Sequence, residues 1–465
     1  MTDDFERAFE REKGAFADGL RESAEGESFR PLAADQVKGT RPSPRVAAWG
    51  KGIAAAAAAA VVIGGVAFGL SQLGGSATSA SLPAEPATQA ASGAVPEADA
   101  QGSDAGGGMQ SEASAAAGQV EATSLDWQRA SASPLVPRSY ASGAWFGGKF
   151  YLVGGQLDQP CPPNADCIAP RKLLRDGASY DPATDTWTRI ADAPVAISQG
   201  RPVVVGARLY FQLGYGADAT VYAYQPATDS WTRIATPNGQ GSLVAAGDQL
   251  VSISFSDEES RGYDELYDAA SDRWSRLPDD PLGKSYSRYG LWVNGKLLLG
   301  AHRLIANPGS EEPSFVRLAE LDLNTMKWRK LPDVEVLSGF SQAIGDLVVF
   351  PETGSADGGE VNNWGRSYPM GGIYNVVSGE WFDLPPLDGG DGVRQAWSDT
   401  SVVGDRVLAS GHLLDPATRT WTLLPAPPSG NRDGQTVITS PDGILVVGGW
   451  TGSAHTEATS YLPVR

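Results

Sequence analysis

The sequence predicts an all-β ring of seven repeated units, closed by a strand from the N-terminal side of the array. Three observations carry this. First, an aromatic residue or leucine is followed seven residues later by tryptophan six times: Tyr180/Trp187, Tyr224/Trp231, Tyr267/Trp274, Leu321/Trp328, Tyr374/Trp381 and Leu414/Trp421. Second, an apolar hairpin with a glycine-containing turn precedes each pair, centred on Gly148, Gly206, Gly247, Gly295, Gly345 and Gly404, with a seventh at Gly443. Third, Trp127 stands before the array without a partner and Tyr461 stands after it without a tryptophan. The two ends therefore complete one unit together.

The pair has a physical basis. In Tyr180-Asp181-Pro182-Ala183-Thr184-Asp185-Thr186-Trp187, Asp-Pro suits the first positions of a type I turn. Strand-forming residues flank it. Positions i and i+7 then face each other across a hairpin and pack as a cross-strand pair. The second strands of the preceding hairpins, such as Phe150–Val153, Leu209–Leu213 and Ile444–Val447, end in Gly-Gly in two units, Gly154/Gly155 and Gly448/Gly449. The third and fifth units have no glycine there. Four strands per unit at a period of about 40–60 residues indicate a β-propeller. The order strand, Gly-Gly, Tyr and Trp resembles kelch repeats over residues 125–465. Closure would remove the edge strands that an open array leaves.

The chain before the ring divides into three parts. Residues 1–52 are polar and charged, with one expected helix capped by Asp3 or Asp4 and carrying Phe5, Phe9, Phe16 and Leu20 on one face. Residues 53–73 carry no charge and are long enough to span a bilayer core of ~30 Å. The expectation is an uncleaved signal anchor; a signal peptide cleaved near Ala77-Thr78-Ser79-Ala80 is the alternative. Residues 74–124, rich in Gly, Ala, Ser, Pro and acid, form a linker that cannot bury enough apolar surface to fold. Lys38, Arg41, Arg45 and Lys51 precede the span, and no Lys or Arg follows until Arg129. That asymmetry predicts a cytoplasmic N-terminus and an extracytoplasmic propeller in the cell membrane. The alanine- and glycine-rich composition fits a high-GC bacterium. Cys161 and Cys167, the only cysteines, share one loop, and outside the membrane a disulfide is the natural expectation.

Chemistry is sparse. A net charge of −19 argues against nucleic acid. No metalloprotease, serine-hydrolase, P-loop or Rossmann motif occurs, and no cofactor or metal is expected. The resemblance to copper oxidases with kelch blades fails on the cysteines, which are expected to pair with each other. Insertions at Gln156–Asp176, Ala301–Phe315 and Pro351–Gly372 follow second strands, so they share a face with the connections entering each blade. Insertions gathered on one face mark a binding side. Alignment on the turn glycines places Arg138 and Arg394 at one position, with Arg432 one residue off, in blades that closure makes neighbours. Kelch propellers that bind acidic peptides use similar arginines, so the resemblance implies a cationic pocket for a carboxylate. The alternative is arginine bonded to loop carbonyls. His302, His412 and Trp364 complete the candidate binding set.

The leading expectation is a membrane-anchored binding module for a protein or a cell-surface glycan. Kelch propellers include sugar mutarotases with pocket arginine and histidine, so the resemblance also implies an enzymatic alternative. A third is a sensor that signals through the N-terminal tail.

Overall fold

The computed structural model describes residues 121–122, 125–161, 172–214, 219–258, 262–304, 313, 315–356, 367–385, 387 and 400–464. The tail 1–52, the apolar segment 53–73 and nearly all of the linker lie outside the described residues. Among the described residues no helix is long and apolar enough to cross a membrane.

Among the described residues, seven blades of four antiparallel strands each form the ring, and blade 6 carries a fifth, parallel strand on its outer edge. Blade 1 runs Ser142–Phe146, Lys149–Val153, Gly177–Asp181 and Thr186–Ile190. Blade 2 runs Val203–Val205, Arg208–Leu213, Thr220–Gln225 and Ser230–Ile234. Blade 3 runs Gly241–Ala246, Gln249–Ser254, Glu265–Asp268 and Arg273–Arg276. Blade 4 runs Ser285–Val293, Lys296–Arg303, Val316–Asp322 and Lys327–Lys330. Blade 5 runs Gln342–Ile344, Leu347–Phe350, Gly372–Asn375 and Trp381–Phe382. Blade 6 runs Ser401–Val403, Arg406–Ala409, His412–Asp415 and Thr420–Leu423. Blade 7 takes Thr436–Ser440, Gly443–Val447 and Thr459–Pro463 from the C-terminal end and Gln128–Arg129 from the other. The first strands adjoin one another in a cycle that returns from blade 7 to blade 1.

The core lies between blades. The second and third strands are almost wholly buried, as in Phe150–Val153 and Gly177–Tyr180. Trp421, Tyr224, Phe150 and Phe211 are among the largest fully buried side chains. The cross-strand pairs form as expected: Tyr180 faces Trp187 with ring centroids 5.1 Å apart, Tyr224 faces Trp231 at 4.9 Å, and Tyr267 faces Trp274 at 5.1 Å.

The tryptophans also pin each blade to the one before it. The indole Nε1–H of Trp187, Trp231, Trp274, Trp328, Trp421 and Trp127 donates to the carbonyl of Ser131, Ala191, Ala235, Pro278, Pro385 and Pro425 respectively. Each acceptor lies just beyond the fourth strand of the preceding blade. Where that residue has an N–H, an aspartate two positions before the tryptophan accepts it. Ser131, Ala191 and Ala235 donate to Asp185, Asp229 and Asp272 at 2.7–2.8 Å. The same carboxylates accept the hydroxyls of Tyr180, Tyr224 and Tyr267, each at 2.8 Å. Proline has no N–H to satisfy. In blades 4 and 6, which hold a proline carbonyl, leucine replaces tyrosine, and Met326 and Arg419 replace the aspartate.

Blade 5 breaks the rule. It keeps Tyr374, but Gly379 stands in the aspartate position, Trp381 turns to Asp383, and the buried Tyr374 hydroxyl has no hydrogen-bond partner. Tyr224→Phe should therefore cost about 1 kcal/mol or more, because Asp229 loses a donor. Tyr374→Phe should leave stability unchanged or raise it. Urea unfolding of the two variants checks this; equal losses would refute it.

Three expectations are corrected. Tyr461 is not the seventh tyrosine of the pattern. Gly443 pairs with Ser440, so the turn is Pro441-Asp442 and every later residue shifts by one. Ile444 faces Leu462, as Phe150 faces Tyr180. Gln128 pairs with Tyr461, which leaves Trp127 at the register of fully buried Leu462. Blade 7 thus carries the leucine form of the pair, while Tyr461 packs from the side against Phe150. Second, the linker does not run unpaired to residue 124: Glu121–Ala122 lies parallel to Thr422–Leu423 on the open edge of blade 6. Third, the blade 4 insertion begins after Arg303, because its second strand continues through Ala301.

Candidate functional site

Antiparallel alternation places the loops between second and third strands on the same side as the blade entries. Backbone bridges join the two sets directly: Ser139 to Gln156 at blade 1 and Asp433 to Trp450 at blade 7. The diglycines make this possible. Gly154 has φ +69°, and a Cβ there would collide with the Ile197 carbonyl of the next blade entry.

Among the described residues, three arginines are buried on this side. Arg138 is 3% exposed. Its Nε donates to the Val136 carbonyl at 2.9 Å and Nη1 to the Gly154 carbonyl at 2.8 Å. Nη1 and Nη2 also grip Asp176 at 2.6 and 2.9 Å. The guanidinium hydrogen bond, together with the charges of Arg138 and Arg189, holds the Asp176 carboxyl below its ordinary value of 3.8 against the opposing effect of burial. Arg138 is thus committed to its own blade.

Arg288, at the blade 3–4 seam, is equally saturated. It donates to the Ser254 carbonyl at 3.0 Å, Ser285 Oγ at 2.7 Å, Asp280 at 3.1 Å and Asp264 at 2.9 Å. Asp257 lies 3.8 Å away. Sequence reasoning overlooked this hub, since Arg288 lies inside a first strand rather than in the connection before it.

Arg432 differs. Strand register, not the turn glycine, fixes its position: Thr436 faces Val447 as Ser142 faces Val153, so Arg432 is the true equivalent of Arg138 with no offset. It is 4% exposed, and only Nη1 is bonded, to the Ala458 carbonyl at 3.3 Å. Burial lowers its pKa to about 10. Arg394 and Trp364 lie outside the described residues, as does Cys167.

Around Arg432 and Arg138 stands a group that the sequence did not single out. Tyr140, in the left-handed region at φ 55°, donates from its hydroxyl to Asp433 at 2.8 Å. His455 Nε2 lies 3.1 Å from Ser139 Oγ, and its ring meets Trp450 edge-on at 4.9 Å. Burial lowers the His455 pKa, partly offset by Asp158. The one available signal was position: Trp450 and His455 follow the diglycine Gly448/Gly449.

His302 and His412 sit within strands rather than after them. His412 opens the third strand of blade 6 and bonds the Ser410 carbonyl at 2.9 Å. His302 is the penultimate residue of the second strand of blade 4, stacked on Tyr286 with Nε2 on the Leu337 carbonyl at 3.0 Å. A carbonyl only accepts, so Nε2 carries the proton, and burial lowers the pKa of this ring. Among the described residues no cluster of His, Cys, Asp and Glu could hold a metal ion.

No family model matches the chain. It is 23% identical over 323 residues to Kelch-like protein terF of Aspergillus terreus, covering 64% of this chain and 66% of that protein. It is 22% identical over 314 residues to Kelch-like protein 15 of Danio rerio, covering 66% of this chain and 37% of that protein. The chain thus spans just under two thirds of one relative and just over a third of the other. A solved structure described as that of YjhT aligns with a TM-score of 0.36 at 15% identity, covering 71% of this chain and 96% of that one. With seven blades, the tyrosine- or leucine-to-tryptophan hairpin in each, and closure by an N-terminal strand, the chain is a seven-bladed β-propeller built from kelch-like repeats.

Proposed function

We propose that this chain is a membrane-anchored propeller that binds a partner protein on its loop-and-entry side. Kelch propellers are in general protein-binding modules. The observation that carries the finer reading is apolar exposure on that side. Val136 and Phe340 at blade entries are 51% and 59% exposed, and Leu157 and Leu173, which flank the blade 1 loop, are 39% and 42% exposed. Exposed apolar side chains beside a polar surround fit a partner surface. An enzyme would instead need acid–base residues converging on one accessible point.

Residues 53–73 supply the anchor in this proposal, with residues 1–52 in the cytoplasm and the propeller outside. A Cys161–Cys167 bond fits that compartment. The test uses cells expressing the full chain. Externally added protease should release the propeller while the tail stays protected, and crosslinking should capture a protein that Phe340→Ser and Leu173→Ser both lose. A chain found in the soluble fraction would overturn the anchoring. Capture of glycan in place of protein, or capture unaffected by both substitutions, would overturn the assigned surface.

A further inference from the structure

Blades 1 and 7 carry the same entry in the same register, yet only one closes its arginine. Thr459 faces Val447 as Gly177 faces Val153, so Ala458 occupies the position of Asp176. The backbone agrees: the Gly154 N–H donates to the Asp176 carbonyl at 2.9 Å, and the Gly448 N–H donates to the Ala458 carbonyl at 3.2 Å. In blade 1 the aspartate fills the guanidinium of Arg138. Blade 7 has an alanine methyl there, and the neighbouring Glu457 is exposed.

The consequence falls on Arg432. Its Nε and Nη2 are buried and have no hydrogen-bond partner, and no carboxylate among the described residues pairs with it. These two nitrogens form the side-on edge of the guanidinium, whose parallel N–H groups match the two oxygens of a carboxylate. Arg138 and Arg288, the other buried arginines among the described residues, both meet carboxylates of their own chain. A buried guanidinium without an anion is costly, and a carboxylate from outside the chain would relieve that cost.

We propose that Arg432 is the anchor of a binding site for a small carboxylate, which meets the free Nε and Nη2 edge of the guanidinium and supplies the negative charge that Asp176 supplies to Arg138 in blade 1. The site lies beneath the loop from Trp450 to Ala458. That loop is held by Thr456 N–H to the Gly449 carbonyl at 3.1 Å and by His455 against Ser139, while Thr451 to Ala454 are exposed. Swinging this segment opens the guanidinium edge. The inference depends neither on membrane attachment nor on the partner protein.

The test is thermal unfolding of the full chain at equal concentrations, about 100 mM, of sodium acetate, chloride or phosphate. Acetate should raise the melting temperature of the native chain by about 2 °C over chloride, as ligand linkage requires at several times Kd. Arg432→Met should lose that increment. Ala458→Asp supplies the missing acid from within, so it should melt higher in chloride and show no acetate increment. An increment that is absent in the native chain, persists in either variant, or is matched by phosphate would overturn the proposal. If Arg432→Met does not fold, the native chain and Ala458→Asp decide between the same outcomes.

Discussion

Replacing Arg288 by methionine will prevent the propeller from folding at neutral pH, and acid will partly restore it. Arg288 holds three aspartates whose side chains are 2%, 4% and 6% exposed. Removing one partner of a buried ion pair typically costs about 3–5 kcal/mol, because the remaining charge stays buried without compensation. Here three charges would remain. Against a total stability of about 5–15 kcal/mol, the loss is decisive. The pH dependence follows from Asp264, whose carboxyl is raised above 3.8 by burial even though Arg288 opposes this. An acid with a folded pKa above its unfolded value binds its proton more tightly in the fold. Its charged form therefore opposes folding, and stability is regained as pH falls through the raised value towards 3.8. Without Arg288 that window moves upward. Circular dichroism of Arg288→Met from pH 7 to 4 should show structure returning as pH falls. A variant that melts like the native chain at pH 7 would refute the role of the hub.

The backbone of the fold was readable because the hairpin pairs recur at fixed spacing, and fixed spacing means a fixed cross-strand register. Trp187, Trp231, Trp274 and Trp328 all meet their expected partners. The aspartate at two residues before tryptophan was also in plain text, yet its purpose was not. Its meaning depends on whether the previous blade offers an N–H or a proline, which only the seam shows. Blade 7 stands one residue out of line in the sequence alignment because Gly443 resembles the turn glycines of the other blades. The glycine starts the second strand, and Pro441-Asp442 makes the turn. That single shift displaced Tyr461 and put Arg432 out of line with Arg138.

The candidate site was less legible for a physical reason. Arginine at a blade entry looks the same in sequence whether its guanidinium is filled or bare. Asp176 lies 38 residues from Arg138, and only the pairing of second and third strands brings them within 2.6 Å. The contrast between Asp176 and Ala458 decides which arginine meets a carboxylate of its own blade, and it cannot be seen until blade 7 is in register. His302 and His412 illustrate the opposite case. Both belong to the candidate binding set by sequence, and both are buried within strands.

A chain that begins at Arg138 will fail to form a stable ring, although it keeps every strand of six blades and three strands of the seventh. It lacks Gln128–Arg129, the fourth strand of blade 7, so the third strand Thr459–Pro463 becomes an open edge. It also lacks Trp127, which packs against the cluster of Leu462, Ile444 and Leu424 and bonds the Pro425 carbonyl at 2.8 Å. Removing a large aromatic from such a setting costs about 3–5 kcal/mol. Further losses add to this. Ala130 and Leu135 leave the blade 1 core, and Ser131 no longer receives the Trp187 indole or serves Asp185. Both seams of blade 7 are thus opened at once, and the sum approaches the whole stability of a domain. The strand Glu121–Ala122 lies outside the ring on blade 6, so a chain that begins at Leu125 should melt within about 2 °C of one that begins at Glu121. Size-exclusion chromatography and thermal unfolding of the three chains separate these outcomes. Cooperative unfolding of the shortest chain at the temperature of the longest would mean that the N-terminal strand does not lock the ring.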